Sequence, residues 1–421
     1  MNVTVTPAGP FCGEVNVPPD KSITHRALLL GAISQGETIV RGALPSADCL
    51  ATAQILRQLG IKISWQPDNT VKVQGGKLKE STEILNCQNS GTTMRLLCGL
   101  LAGQDFYSVL AGDSSLNKRP MDRVIKPLSA MGGRIWGREG NKYPPLTVLG
   151  TRLSGIDYKL PVASAQLKSA LLLAGLFAQG KTRVTEPTKS RDHTERMLKD
   201  FGAAISREGK VIEIEESRLQ GREVVVPGDF SSAAFLLACA LIVPGSQLLL
   251  KDVGINPTRA ALLLVLERMG AQIEIQNRRS FGSEPVADLF VEAAGLTGTE
   301  VAGELVPLLI DEIPVLAALA AAAEGTTTIR DAAELRVKES DRIKALATGL
   351  RKMGACVEEL PDGLIITGGR RLIGAQVDSC GDHRIAMALA VAAQRAEGPT
   401  QIAGAECVDI SFPNFWQFFR K

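Results

Sequence analysis

Six times along this 421-residue chain an apolar run rich in alanine and leucine begins and ends on the same kinds of residue. The runs open at Asp20, Asn89, Ser164, Asp229, Asp311 and Asp382, and close at Gly36, Gly103, Gly180, Gly245, Gly325 and Gly398. The spans are 16, 14, 16, 16, 14 and 16 residues, and successive openings stand 65 to 82 residues apart. Asp, Asn and Ser side chains accept the orphan N–H groups of a helix start, and glycine tolerates the left-handed turn that ends one. The pattern predicts six capped helices of about four turns. After most closing glycines comes a short β-branched stretch, "GETIVRG", "GKTRVTE", "GSQLLLKD", "GTTTIRD" or "GPTQIAG", which reads as a strand. The second copy, "GQDFYSVLAG", fits more loosely.

A second signature interleaves with the first. "LRQLGIKI", "LSAMGGRI", "LKDFGAAI", "LERMGAQI" and "LRKMGACV" each read as a helix end, a glycine and a new strand, with glycines at 60, 132, 202, 270 and 354. The sixth copy is missing, because the chain ends after "FPNFWQFFRK". The strand-like "MNVTVT" at residues 1–6 is expected to supply it. The fold class is therefore α/β, built from six βαβαββ units in two similar domains of three units each. One domain is discontinuous, residues 1–17 with 229–421, and the other covers 18–228.

Composition narrows the function. Lys+Arg 47 against Asp+Glu 45 leaves a net charge of +2 with no long run of one sign, so nothing marks a nucleic-acid surface. "MNVTVTPAGP" lacks the basic region and apolar core of a signal peptide, and no stretch of 18 or more apolar residues stands ready to span a membrane. A cytoplasmic enzyme is expected, with no membrane partner. The eight scattered cysteines form no C-x-x-C and read as reduced packing residues. Three histidines without an H-x-x-x-H argue against a zinc site.

The helix starts carry the chemistry. Lys21, Ser22, His25 and Arg26 crowd the first, where cations oppose the helix dipole; a bound phosphate or carboxylate would offset that cost, and a solvated basic face is the plainer alternative. No G-x-x-x-x-G-K precedes Lys21, so it is not a Walker loop. In "NSGTTMR", Gly91 lets backbone approach a ligand, and "NKRPMDR" clusters Lys118, Arg119 and Arg123, whose arginine forks suit carboxylate and phosphate. Ser164, Gln166 and Lys168 enter the third helix, followed by "SRDHTER", where Arg191/Glu195 and Asp192/Arg196 read equally well as surface ion pairs. "GDFSSAA" offers only caps and reads as structural. Asp311 and Glu312 stand before a strongly apolar helix, where partial burial would raise the proton affinity a general base needs; a simple capping acid is the alternative. Lys338, Glu339 and Arg342 follow in "RVKESDRIKAL", and His383 and Arg384 in "GDHRIAM". Lys21, Arg26, Arg123, Lys338, Arg342 and Arg384 then supply cations, and Asp311 and Glu339 supply acid and base. Such a set suits two strongly anionic small molecules reacting by proton transfer without a metal.

"PPDKSITHRALLLGA", "NSGTTMRLL", "KRPMDRV", "LPVASAQLKSALLLAG", "SRDHTERML", "LIDEIPVLA", "RVKESDRI" and "GDHRIAMALA" together resemble the 5-enolpyruvylshikimate-3-phosphate synthase family, over essentially the whole chain and in order. The "NSGTT" and "SRDHTE" forms are similar to the bacterial subgroup often called class II. The resemblance implies the inside-out α/β barrel of the enolpyruvyl transferases, two domains closing over the ligands in an interdomain cleft. It implies transfer of the enolpyruvyl group of phosphoenolpyruvate to the 5-hydroxyl of shikimate 3-phosphate, a step of aromatic amino acid biosynthesis, with no cofactor. Asp311, Glu339 and Lys21 match the catalytic positions. Lys21, Ser22, Arg26, Ser164, Gln166, Arg191, Asp311 and Lys338 match those that hold shikimate 3-phosphate. Lys21, Gly91, Arg123, Gln166, Arg342 and Arg384 match the phosphoenolpyruvate side. Many relatives carry a lysine just before the "FP" near the C-terminus; "VDISFPNF" has none. Glyphosate, which occupies the phosphoenolpyruvate site in the family, is expected to inhibit, because position 91 is glycine rather than the alanine associated with insensitivity. A monomer is expected.

Two rivals remain at this level. The UDP-N-acetylglucosamine enolpyruvyl transferase shares fold and chemistry but carries a reactive cysteine on a glycine-rich loop, and no cysteine here sits in one. A non-catalytic binder of phosphorylated metabolites would have no need of Asp311 and Glu339.

Overall fold

The computed structural model describes residues 1–419. Its longer helices alternate between two roles. The odd-numbered ones, α1 (Lys21–Ile33), α3 (Gly91–Ala102), α5 (Ala165–Gly175), α7 (Phe230–Ile242), α9 (Ile313–Ala322) and α11 (His383–Ala393), are the six apolar runs, and their residues are almost all buried. A helix apolar all round needs cover on every side. The even-numbered ones, α2 (Ala47–Gln58), α4 (Asp122–Ala130), α6 (His193–Asp200), α8 (Ala261–Arg268) and α10 (Arg342–Lys352), each precede a second glycine.

Those five glycines share one backbone device. Gly60, Gly132, Gly202, Gly270 and Gly354 all have φ between 85° and 95°. In each case the next N–H bonds back to a leucine carbonyl: Ile61 to Leu56, Gly133 to Leu128, Ala203 to Leu198, Ala271 to Leu266 and Ala355 to Leu350. This is the Schellman closure, and all five leucines are buried. The first set of glycines works differently. Gly36, Gly180, Gly245, Gly325 and Gly398 also have positive φ, but they lie three to five residues beyond their helices, in the turn that starts the next strand. Gly103 alone has φ −93° and caps α3 directly, which accounts for its looser sequence.

Four of the expected caps accept helix N–H groups: Asp20, Ser164, Asp229 and Asp382. Two differ. Ser90, not Asn89, caps α3 by accepting from Thr93. Helix α9 starts after Glu312 with no side-chain cap, because Pro314 in its first turn removes one donor and the Asp311 carboxylate is taken by cations.

Each repeat folds into its own sheet. In the second, Leu85–Asn86 runs parallel to Tyr107–Ala111, which pairs antiparallel with Tyr143–Leu149, with Arg134–Gly137 outermost. The third and fifth repeats use the same order. The first repeat borrows its leading strand from Glu223–Val225, and the fourth from Cys12–Asn16, each parallel to its neighbour. In the sixth, Asn2–Val5 pairs antiparallel with Thr400–Ala403, which lies parallel to Gln376–Asp378. Short 3-10 turns at Ala405–Ile410 and Phe415–Phe419 stand where a second helix would be, with Phe412, Phe415 and Trp416 stacked edge to face.

The described chain divides into two compact units with separate cores. One holds residues 1–18, 227–280 and 285 onward; the other holds 19–226 and 281–284. Residues 281–284, the turn of the hairpin Ile273–Phe281/Glu284–Glu292, group with the second unit, away from the span 229–421 that contains them in sequence. Ser283 donates through N and Oγ to the Asp200 carboxylate at 3.0 and 2.8 Å, and Glu284 meets His193 Nδ1 at 2.8 Å. In the second unit α3 and α5 touch backbone to backbone: a Cβ on Gly99 would lie 2.1 Å from the Ala170 carbonyl oxygen. Cys98 within α3 and Cys49 within α2 are buried, and burial pushes both thiols up to about 12. Cys12 and Cys380 are exposed, so packing does not explain every cysteine. No single helix among the described residues is long and apolar enough to cross a membrane.

Candidate active site

In the first unit the charged residues gather around Asp311, in the turn before α9. Arg342, at the start of α10, is the hub and only 1% exposed. Its Nε donates to Asp382 at 2.8 Å, its Nη1 to Asp311 at 3.1 Å and its Nη2 to Glu339 at 2.7 Å. Burial works against the guanidinium charge, but Asp382, Glu339 and Asp311 more than offset it and raise its pKa. Lys338 Nζ lies 3.8 Å from Asp311. Arg384 Nη1 donates to the Asp311 carbonyl at 3.1 Å while its Nη2 lies 3.7 Å from the carboxylate. Asp382 also accepts from the Arg384 N–H at 3.0 Å, so one carboxylate both caps α11 and anchors Arg342. Three carboxylates and three cations thus share one neutral cluster. The apolar setting the sequence suggests for Asp311 is not what its carboxylate meets. Its neighbour Glu312 is the more buried of the two, yet its carboxylate is also charge-paired, with Arg259 at 3.1 Å, and accepts from the Ser231 hydroxyl.

The graded exposure orders these groups. Arg342 lies at the back, the Asp311 and Arg384 side chains are 14% and 8% exposed, and Lys338 and Glu339 reach furthest toward solvent. A bound anion would meet Lys338 and Arg384 first.

In the second unit the cationic start of α1 is less bare than its sequence suggests. Asp20 caps Ile23, and Lys21 Nζ lies 3.2 Å from Asp48 on α2. His25 is buried on Thr52, and burial, then Lys21 and Arg26, hold its pKa well below the ordinary 6.5, so the ring is neutral. Arg26 donates to Thr194 at 2.6 Å, Ser169 at 2.9 Å and the Ser22 carbonyl at 3.0 Å. Burial lowers its pKa to about 10, opposed by the Glu195 and Asp20 carboxylates.

Gln166 in α5 is held at both ends of its amide. Arg95 Nη1 donates to its Oε1 at 2.9 Å, and its Nε2 donates to Thr92 at 2.9 Å. A Cβ on Gly91 would stand 2.7 Å from that same Arg95 nitrogen. Arg119 donates to Asn89. Arg123 lies partly buried in the first turn of α4, Ser164 caps Leu167, and Arg191 follows the buried Ser190. Lys168 does not line an open face: it is buried between Glu186 and Glu195.

The sequence-picked residues therefore form two groups. Lys21, Ser22, Arg26, Gly91, Arg123, Ser164, Gln166 and Arg191 belong to one unit; Asp311, Lys338, Glu339, Arg342 and Arg384 belong to the other. Asp48, Arg95, Asp382 and the Arg259–Glu312 pair are partners that the sequence alone does not mark. Asp382 had shown itself only as a cap, and Asp48 and Arg95 are ordinary charged residues until the fold brings Lys21 and Gln166 to them.

The enolpyruvyl transferase NikO from Streptomyces tendae superposes on 99% of this chain, and the match covers 96% of its own length, with a TM-score of 0.81 at 16% identity, a likeness of fold alone. Six βαβαββ repeats of this topology, with cations and carboxylates at the starts of the central helices, define the enolpyruvyl transferase class of fold. EPSP synthase from Acinetobacter baumannii is nearer, with a TM-score of 0.88 and 44% identity over 99% of this chain and 97% of its own. The chain belongs to the EPSP synthase (3-phosphoshikimate 1-carboxyvinyltransferase) family, whose model matches residues 5–419. Relatives bearing that name include one from Desulforudis audaxviator, 54% identical over 99% of this chain and 98% of its own length. Another, from a Synechococcus species, is 55% identical over 98% of this chain and 95% of its own.

Proposed function

We propose that this chain transfers the carboxyvinyl group of phosphoenolpyruvate to the 5-hydroxyl of shikimate 3-phosphate and releases phosphate. Asp311 takes the 5-hydroxyl proton as that oxygen attacks C2 of phosphoenolpyruvate. C3 gains a proton, a step that falls to one of Glu339, Lys338 and Lys21, and a tetrahedral intermediate forms. Loss of one C3 proton then expels phosphate from C2, leaving the vinyl ether. Lys21, Ser22, Arg26, Ser164, Gln166, Arg191 and Lys338 hold shikimate 3-phosphate. Gly91, Arg123, Gln166, Lys21, Arg342 and Arg384 meet phosphoenolpyruvate. The arrangement around Asp311 carries this reading: a carboxylate fixed by Arg342 and Arg384, with Glu339 and Lys338 more open beside it, is an acid–base group preorganised among cations. Arg342 reaches substrate by exchanging its bond to Glu339 for one to the ligand.

Glyphosate competes for the phosphoenolpyruvate site, and the enzyme works in the cytoplasm as a monomer. Phosphate release by the purified chain tests the activity. Release should require both substrates together; release with UDP-N-acetylglucosamine instead, or with neither acceptor, would overturn the assignment.

A further inference from the structure

Lys168 sits in α5 two residues beyond Gln166 and is fully buried. Its Nζ lies 3.0 Å from Glu186 and 2.7 Å from Glu195, and donates to the Ser190 carbonyl at 3.3 Å. Arg207 closes the ring, 3.1 Å from Glu186 and 3.0 Å from Glu195. Two cations and two carboxylates alternate, so the ring is neutral. Hydrocarbon side chains would fill such a site at lower cost, because burying charge offsets much of the gain from pairing it. Stability alone therefore does not account for the ring.

Its connections do. The ring joins α5, the loop 186–192, α6 and the strand Ile205–Glu208. Glu186 also accepts from the N–H of Ser190 at 3.1 Å and from its hydroxyl, so N, O and Oγ of Ser190 are all fixed just before Arg191. Helix α6 carries Thr194, which with Ser169 of α5 holds Arg26. Every segment bearing Ser164, Gln166, Arg191 and the side-chain partners of Arg26 is tied to one buried ammonium.

We infer that the Lys168–Glu186–Glu195–Arg207 ring is the positioning element of the shikimate 3-phosphate side of the site, an inference that rests on the function proposed above. Lys168 touches no substrate in this account; it sets the register of the residues that do. Steady-state kinetics of the full chain test it, comparing wild type with K168M and with the charge-balanced K168M/E195Q. A misplacement of about 1 Å is worth up to about a hundredfold. KM for shikimate 3-phosphate should rise about ten- to hundredfold, while KM for phosphoenolpyruvate, which the ring reaches only through Gln166, should rise several-fold less. Calorimetric affinity for shikimate 3-phosphate alone should fall in parallel. If K168M precipitates, the double variant decides. An unchanged KM for shikimate 3-phosphate in a folded variant, or equal rises for both substrates, overturns the inference. Wild type that releases no phosphate from the two substrates would instead refute the functional reading.

Discussion

Replacing Arg342 with methionine removes the hub of the Asp311 cluster while leaving hydrocarbon in its place, so little cavity forms. Asp382, fully buried, loses its guanidinium and keeps the Arg384 N–H and the Ser340 hydroxyl, neither of which carries a compensating charge. Asp311 and Glu339 are partly exposed, and water softens their loss. Breaking a buried pair by removing one partner costs about 3–5 kcal/mol, most of it here on Asp382. For a unit of roughly two hundred residues each kcal/mol lowers Tm by about 2–4 °C, so the transition should fall by roughly 6–20 °C. Differential scanning calorimetry reads this directly. Adding D382N, which removes the stranded charge and keeps an acceptor for the helix start, should recover a substantial part of the loss, a non-additivity expected of groups in contact. A Tm within about 2 °C of wild type for R342M would refute the view that burial makes Arg342 indispensable to its three carboxylates.

Other outcomes follow from single contacts. Gly99→Ala puts a methyl group 2.1 Å from the Ala170 carbonyl, so α3 and α5 must separate, at a cost of about 1–3 kcal/mol in chemical denaturation. His25 is neutral when folded but binds a proton near the ordinary 6.5 when unfolded, so stability rises with pH up to about that value and falls below it. His25→Gln should flatten the slope of unfolding free energy between pH 5 and 6.5 by up to about 1.4 kcal/mol per pH unit; an unchanged slope would show that the ring is protonated in the folded state. Asp311→Asn should lower kcat by roughly 10²–10⁴-fold with a modest change in either KM; near-normal turnover would remove Asp311 from the proton transfer.

The repeats were legible because each uses the same local device. Five Leu-x-x-x-Gly closures have one backbone geometry, and four Asp or Ser caps accept the N–H groups they were expected to. Local rules failed where tertiary charge took over. By sequence Asp311 opens an apolar helix, but Arg342, thirty-one residues later, claims its carboxylate. Lys168 looked like part of a polar helix start, and only the approach of Glu186, Glu195 and Arg207 shows it buried in a ring. Lys21 looked unpaired because Asp48 sits on the next helix. Candidate residues were visible as types, while their partners, which decide charge and orientation, depend on chain segments far away in sequence.

Turnover in deuterium oxide tests the central chemistry most directly. Addition turns C3 of phosphoenolpyruvate into a methyl group, and elimination returns any one of its three hydrogens. Mass spectrometry of the vinyl ether product should therefore find deuterium on its methylene carbon in wild type, with product formation sharply slowed in Asp311→Asn. Product formed at the normal rate with no deuterium at that carbon would contradict addition and elimination at this site.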